Sequence, residues 1–166
     1  EVCLITGPTQ LSIEHSKIKR IDVKTAAQMY EKTVENFENS DIAILSAAVA
    51  DYTPKSTFDN KIKKKENNLV VELVPTKDIL AELGRRKKEH QLLVGFALET
   101  DNEQANAERK LQTKNLDMIV LNSLRDKGAG FGVETNKVTL LYADGTKKDL
   151  PLLLKQEVAD MIIDSI

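Results

Sequence analysis

Cysteine is almost absent from this chain of 166 residues, and tryptophan is missing altogether. Because Cys3 is the only cysteine, an internal disulfide and a multi-cysteine zinc site are both excluded. Cys3 lies in the apolar run from Val2 to Ile5, for which the sequence predicts a buried thiol rather than a nucleophile. The two histidines, His15 and His90, have polar neighbours and no nucleophile motif nearby, so a hydrolytic triad has no support.

Long hydrophobic runs and a strong net charge are missing as well. No apolar run approaches membrane-spanning length and no signal peptide is visible, so we expect a cytoplasmic protein with no membrane partner. A net charge of −2 lacks the basic character that indicates nucleic acid as a partner. With 41% apolar and 30% charged residues, the composition is that of a single globular domain over residues 1–166.

Apolar runs of strand length alternate with helical patterns along the chain. Thr25 followed by Gln28 has a capping-box pattern, Thr76 is a candidate N-cap, and Asp144-Gly145 predicts a hairpin turn. The order predicts an α/β fold: an open, mostly parallel Rossmann-like sheet with helices on both faces and an antiparallel C-terminal hairpin. We expect strands near 2–6, 20–23, 42–46, 69–74, 92–97, 117–122, 138–142 and 147–150, and helices near 25–37, 77–88, 102–114 and 152–166.

The stretch from Asp41 to Lys65 is the strongest candidate for a binding site. A short apolar run, predicted to be a buried strand, passes into small residues at 46–50, and Asp51 follows. A strand that ends in small residues brings bare backbone to the carboxyl edge of a sheet, where open α/β sheets bind ligands. Asp51 would take a ribose hydroxyl or a metal. The lysines at 61, 63, 64 and 65 would close over phosphates, which favours a nucleotide site with a mobile basic flap.

Structural explanations compete with this interpretation. The alanines at 47, 48 and 50 would also be small where a helix packs closely on the strand end. Lysine runs are usually solvated surface. The four cations at 85–88 come late in a predicted helix, where the helix dipole favours them, so they do not indicate a binding patch.

Four further side chains are candidates for ligand contacts. Phe96, beside Gly95 in a predicted strand, would stack on a base, although phenylalanine in a strand more often belongs to the core. Lys110 and Lys114 lie four residues apart on one helix face, where they reach phosphates or water equally well. Asn122 ends a predicted strand with an amide that would bind a ligand.

Several of these motifs occur together, in this order, in one known family. AAVADY at 47–52, KIKK at 61–64, VGFALET at 94–100 and A-x-x-K-L-x-x-K-N-L-D at 107–117 resemble bacterial phosphopantothenoylcysteine synthetases. These form the synthetase half of the bifunctional coenzyme A biosynthesis flavoprotein. LITGPTQL and RIDVKTAAQMY match as well, so the resemblance covers essentially the whole chain.

The resemblance implies a two-step ligation with CTP as co-substrate. CTP activates the carboxylate of 4′-phosphopantothenate as an acyl-cytidylate with release of pyrophosphate, and cysteine then displaces CMP to form an amide. Lys61 matches the catalytic lysine of the family, and Mg²⁺ is expected, with Asp51 as its candidate ligand. By position, the resemblance assigns nucleotide binding to Ala47, Ala48, Asp51, Phe96, Lys63, Lys110 and Lys114, and substrate binding to Asn122.

The resemblance also implies partners. We expect a homodimer, fused to or associated with a flavin-dependent decarboxylase domain, and no FMN in residues 1–166. The family's synthetases begin with a strand, a Gly-Gly-Thr phosphate loop and an Asn-Arg-Ser-Ser-Gly segment, and nothing in residues 1–166 matches these. We therefore expect a fragment of a longer chain, which alone would bind CTP weakly without making phosphopantothenoylcysteine.

Two other classes of function stay open on the residues alone. A nicotinamide-dependent oxidoreductase needs a glycine-rich first βα turn, whereas the glycines of GAGFG at 128–132 come late in the chain and have the wrong spacing. A non-catalytic nucleotide-binding or assembly module is the other class. Binding of CTP compared with NADH separates the ligase from the oxidoreductase.

Overall fold

The computed structural model describes residues 1–58, 60–64, 68–123 and 132–166. They form two compact units: Glu1–Asn36 with Ala47–Ile79, and Phe37–Ser46 with Leu80–Ile166. The strands are β1 (Val2–Thr6), β2 (Ile18–Asp22), β3 (Ile42–Leu45), β4 (Tyr52–Pro54), β5 (Leu73–Pro75), β6 (Leu92–Glu99), β7 (Met118–Ser123), β8 (Thr135–Asn136), β9 (Val138–Tyr142), β10 (Lys147–Asp149) and β11 (Leu153–Leu154). The helices are α1 (Ala26–Phe37), α2 (Ile79–Arg86), α3 (Glu103–Thr113) and α4 (Lys155–Ile163).

The second unit is built on a five-stranded sheet of order β10-β9-β7-β6-β3. The strands β3, β6 and β7 run parallel, and β9 and β10 add to β7 as an antiparallel hairpin. In the hairpin turn Gly145 has a φ of 85°, and Asp144 accepts hydrogen bonds from Thr146 that lower the pKa of its carboxyl. The α/β class, the parallel strands and the C-terminal hairpin are confirmed.

Helices pack on both faces of this sheet. On one face, residues of the strands and of α4 share a buried apolar cluster, with Phe96 packed against it. On the other face, a side chain at Gly95 would clash with Leu80 of α2, since its Cβ would lie 2.7 Å from the Leu80 Cδ2. α3 contacts β6 and β7. The cluster on the α4 face consists of Val94, Met118, Val120, Val138, Leu140, Leu150, Val158 and Ile162.

The segment between α3 and β7 contributes a set of structural contacts. The Asn115 amide donates to the carbonyl oxygen of Gly84 at 2.9 Å, and Asn115 itself has a φ of 51°. Lys87 donates to both carboxylate oxygens of Asp117 at 2.8 Å, and Asp117 also accepts from the Leu93 amide. The Lys-Asn-Leu-Asp end of the fourth family motif, at 114–117, therefore joins α2 to the sheet.

The cations at 85–88 are engaged in this unit, as expected from their place in the helix. Arg85 and Arg86 both donate to Glu82, and these hydrogen bonds lower the pKa of that carboxyl to about 2. Lys88 donates to the carbonyl oxygen of Glu38 at 3.3 Å. Nearby, buried Gln91 donates to the carbonyl oxygens of Phe37 at 2.8 Å and Ser40 at 2.7 Å, which ties the end of α1 to the start of β6.

The first unit contains two separate strand pairs and most of α1. β1 and β2 pair in parallel, and β4 and β5 pair antiparallel. Thr25 precedes α1 as predicted, since its hydroxyl accepts from the Gln28 amide at 3.1 Å. The Gln28 side chain reaches back to the amide of Lys24 at 2.8 Å.

Several sequence predictions for these elements were wrong. Cys3 is exposed rather than buried. The run 69–74 is not one strand, because only Leu73–Pro75 pairs with β4, and Val70 is 87% exposed. Thr76 does not cap α2, since its hydroxyl binds the carbonyl oxygen of Ala50 and the helix begins at Ile79.

Two further predictions need correction. β3 was expected to be buried, but it is the edge strand of the five-stranded sheet, and Ile42 and Ile44 are exposed. α4 begins at Lys155 rather than Leu152, because Leu153 and Leu154 pair with β8. Across the described ranges, no helix combines the length and the apolar character needed to cross a membrane.

Candidate functional site

Phe96 and Asn122 lie on the same face of the five-stranded sheet. β6 and β7 are parallel, with Phe96 paired to Val120 and Leu98 paired to Asn122. Paired residues of neighbouring strands project to the same side, so both side chains lie on the α4 face, two positions apart along the strands. Phe96 is half-buried against the core cluster, which agrees with its structural interpretation.

Asn122 has an unsatisfied polar atom. Its Oδ1 is buried, and within the described part of the chain it has no hydrogen-bond partner. Leaving a buried acceptor unpaired costs about 1–3 kcal/mol, so such an atom in a folded protein calls for an explanation. An acceptor at the carboxyl end of a central strand is suited to an N–H or O–H group of a ligand rather than to a phosphate oxygen, which is itself an acceptor.

Lys110 is already paired. Its ammonium group donates to Glu99 Oε1 at 2.6 Å. Glu99 alternates with Gly95 and Ala97 along β6, so it projects to the α3 face, opposite to Phe96 and Asn122. The two sequence candidates Lys110 and Asn122 therefore lie on opposite faces of the sheet.

Lys114 lies near the amino end of β7, at the opposite end of this strand from Asn122. It caps the C-terminus of α3 and precedes β7 by four residues, whereas Asn122 is near the end of β7. A strand of this length spans roughly 17–20 Å. The structure thus separates Lys114 from Asn122 by about one strand length, and the two do not meet at one phosphate.

The remaining candidates belong to the first unit. Ala47, Ala48 and Ala50 are exposed. Their small side chains are therefore not explained by a helix that packs closely on the strand end. The backbone here is irregular, with the Val49 amide donating to the carbonyl oxygen of Ala47 at 3.0 Å. Asp51, which follows, is exposed as well.

Thr76 holds this segment in place. Its hydroxyl donates to the carbonyl oxygen of Ala50 at 2.7 Å, and its amide donates to the carbonyl oxygen of Asp51 at 2.8 Å. The β4–β5 pair starts directly beyond this point, with Tyr52 opposite Pro75. Sequence reasoning missed this role of Thr76, because a threonine after a proline at the start of a helical pattern is typical of an N-cap.

Lys61 and Lys63 lie in an exposed segment without regular structure. Within the described part of the chain, neither ammonium group has a carboxylate partner, in contrast to Lys55, which pairs with Glu72 at 2.7 Å. Lys65 and the first glycines of GAGFG lie outside the described residues. Lys61 and Lys63, which have no carboxylate partner among the described residues, remain candidates for binding phosphates.

The sequence predicts a nucleotide site at 47–51, and on that prediction Thr76→Val should weaken nucleotide binding while leaving the fold intact. Valine keeps the shape but loses the hydroxyl that holds Ala50, and loss of such a hydrogen bond raises a dissociation constant by about three- to tenfold. CTP binding to the complete protein by calorimetry is the measurement. Thr76→Ser is the matched control and should bind CTP like the wild type. Equal affinities for all three proteins would contradict the role assigned to Thr76.

The model of the family described as the DNA/pantothenate metabolism flavoprotein C-terminal domain matches residues 1–166. The chain belongs to this family. Its fold is similar to a crystal structure of the C-terminal domain of the coenzyme A biosynthesis bifunctional protein CoaBC, with 38% identity and a TM-score of 0.80 over 98% of this chain and 71% of that one.

Curated relatives carry two kinds of name. CoaBC of Bacillus subtilis is 47% identical over 99% of this chain and 40% of its own length. A protein named cysteine/cysteine sulfinic acid decarboxylase, from an unknown prokaryotic organism, is 55% identical over the whole chain and 46% of its own length. The chain therefore spans less than half the length of these relatives.

Proposed function

We propose that this family member catalyses the CTP-dependent ligation of 4′-phosphopantothenate with cysteine. The observation that carries the proposal is the family match over all 166 residues, supported by 47% identity to a coenzyme A biosynthesis bifunctional protein. The exposed lysine segment is consistent with a phosphorylated ligand. Separately, Asn122 Oδ1, which has no hydrogen-bond partner among the described residues, is consistent with a ligand that carries an N–H or O–H group. A cytoplasmic location is part of the same proposal.

The proposed reaction has two steps. A carboxylate oxygen of 4′-phosphopantothenate attacks the α-phosphorus of CTP, and the bond to the bridging oxygen breaks to release pyrophosphate. The cysteine amine then attacks the activated carbonyl carbon, its proton passes to solvent, and CMP leaves with the attacking oxygen. Such a transfer depends mainly on positioning and on charge neutralisation.

Individual residues are proposed for these tasks. Lys61 would neutralise charge developing at the α-phosphate, with Lys63 beside it. The backbone of Ala47 and Ala48 would read the base, and the Asn122 acceptor would take an N–H or O–H group of the substrate. Mg²⁺ would supply further neutralisation, and the single exposed carboxylate of Asp51 fits the usual set of one or two carboxylates plus phosphates. In the described ranges no group of three or more histidine, cysteine or acidic side chains forms a metal site.

The complete protein, supplied with CTP, 4′-phosphopantothenate and cysteine, should release pyrophosphate and CMP in equal amounts. Pyrophosphate release should require the acid, and CMP release should require cysteine. Parallel reactions test the alternatives: NADH binding for an oxidoreductase, and CO₂ release from cysteine sulfinic acid without CTP for the activity in the other relative's name. CO₂ release without CTP turnover would contradict the ligase assignment.

We further propose that the chain forms a homodimer and that it associates with a flavin-dependent decarboxylase domain. The association is supported by the curated CoaBC relatives, which are named bifunctional and are more than twice as long. An exposed apolar run at Leu69, Val70 and Val71 continues into β5, and the isolated β4–β5 pair has strand edges that need cover. Sedimentation of the complete protein at micromolar concentration should give the dimer mass. A monomer with full activity would contradict the dimer.

A further inference from the structure

We propose that Tyr30 and Lys77 are positioning residues for the nucleotide site predicted at 47–51. Lys77 directly follows Thr76, whose hydroxyl and amide hold this segment. The inference rests on the proposed function, because it takes the segment to be in contact with CTP. It adds one residue of α1 and one residue between β5 and α2 to those that shape the site.

The contact joins a lysine to an aromatic ring of α1. The Lys77 ammonium group lies over the Tyr30 ring, 4.6 Å from its centroid. A cation is attracted to a ring face within about 6 Å of the centroid. Among the described residues, no carboxylate pairs with this ammonium group. The ring is therefore the partner that orients the Lys77 side chain.

Tyr30 belongs to a helix that is itself anchored. The start of α1 is capped by a hydrogen bond to the Thr25 hydroxyl, and the neighbouring Met29 is buried. Tyr30 is half-buried, whereas Lys77 is exposed. An exposed lysine has many rotamers and a half-buried ring has few, so the ring determines where the lysine lies.

Lys77 affects the site through the residue before it. The Thr76 hydroxyl donates to the carbonyl oxygen of Ala50 at 2.7 Å, and the Thr76 amide donates to that of Asp51 at 2.8 Å. Both acceptors lie in an exposed segment outside helices and strands. Because Lys77 adjoins Thr76 in the chain, fixing the lysine against α1 restricts the backbone that carries these donors. A segment held in one conformation binds a ligand with a smaller loss of entropy.

Variants that remove one partner at a time test the contact. Tyr30→Leu removes the ring and Lys77→Met removes the charge, and each should raise the Kd of the complete protein for CTP by about two- to fivefold, the scale of an exposed cation–π contact. The double variant should bind no more weakly than the poorer single variant, because both changes remove the same contact.

Conservative variants and a matched control complete the set. Tyr30→Phe keeps a ring and Lys77→Arg keeps a cation, so both should bind CTP like the wild type. Lys32→Met removes a different lysine of the same unit, one that pairs with exposed Glu35 at 2.7 Å, and should leave the Kd unchanged. Weakening by Lys32→Met equal to that by Lys77→Met would reduce the effect to net charge and overturn the proposal.

Direct contact between Lys77 and a phosphate gives a different pattern. Lys77→Met would then weaken binding of CTP but not of cytidine, measured by competition with CTP, and Tyr30→Leu would not weaken either. In the positioning role, both variants weaken CTP and cytidine by the same factor, because the affected segment is proposed to contact the base and the ribose. The first pattern, or unchanged affinities in both variants, would overturn the proposal.

Amide hydrogen exchange provides a readout that does not depend on the nucleotide. The Thr76 amide should exchange faster in Tyr30→Leu and in Lys77→Met than in the wild type, and Lys32→Met should not change it. Unchanged exchange in both variants would also overturn the proposal. A wild-type protein that binds no CTP contradicts the proposed function, and the exchange measurement still decides whether the contact between Tyr30 and Lys77 holds Thr76.

Discussion

Lys61→Gln is expected to reduce pyrophosphate release from CTP and 4′-phosphopantothenate by about 10²–10³-fold, the usual effect of removing one preorganised group that stabilises transition-state charge. Glutamine keeps the polarity and approximate length of the side chain but lacks the charge needed at the α-phosphate. Because Lys61 is exposed and lies outside helices and strands, the melting temperature should not change.

Lys55→Gln is the matched control for this experiment. Lys55 belongs to the same unit and pairs with Glu72 in an exposed ion pair, which contributes about 0–1 kcal/mol at most. Its loss should leave pyrophosphate release near the wild-type rate. If Lys61→Gln and Lys55→Gln behaved alike, Lys61 would be solvated surface and the catalytic assignment would be wrong.

Gly84→Ala should destabilise the protein by about 3 kcal/mol or more, at the upper end of the range for overpacking. A Cβ at this position would lie 1.8 Å from the carbonyl oxygen of Lys114 and 2.8 Å from its carbonyl carbon. These are backbone atoms, so a change of side-chain rotamer cannot relieve the clash. Alanine in place of glycine gains about 1 kcal/mol of helix propensity, which the clash outweighs.

The consequence would extend beyond the helix. Moving α2 away from the α3–β7 segment would also strain the hydrogen bond from Asn115 to Gly84 and the ion pair between Lys87 and Asp117. Calorimetry of the complete protein should show the melting temperature of this domain lowered by roughly 6–12 °C, at about 2–4 °C per kcal/mol. Gly7→Ala is the control, because a Cβ there would meet nothing within 4 Å. Equal melting temperatures for both variants would contradict the packing described.

The elements predicted well from the sequence are those whose signals are local. The Thr25–Gln28 pattern marks the start of α1, and the Asp144-Gly145 turn sets the hairpin, because a cap and a tight turn need only neighbouring residues. β6 and β7 are long apolar runs between breakers, which identifies central strands.

The failures arise where a partner distant in sequence decides the structure. The run at 69–74 is rich in β-formers, yet a strand needs a neighbour, and β4 reaches only Leu73–Pro75. Cys3 and Ile44 were expected to be buried on hydrophobicity alone, and both are exposed. Lys110 and Lys114 share a helix face in the sequence pattern. Only the fold shows that Lys110 pairs with Glu99 and that Lys114 lies near the amino end of β7.

The most direct test of the central claim is the transfer of an oxygen atom. 4′-Phosphopantothenate labelled with ¹⁸O in both carboxylate oxygens is incubated with the complete protein, CTP and cysteine, and CMP is analysed by mass spectrometry. Activation as an acyl-cytidylate predicts one ¹⁸O atom in each CMP formed, because the attacking carboxylate oxygen leaves with the nucleotide. Amide product formed alongside unlabelled CMP would contradict the account.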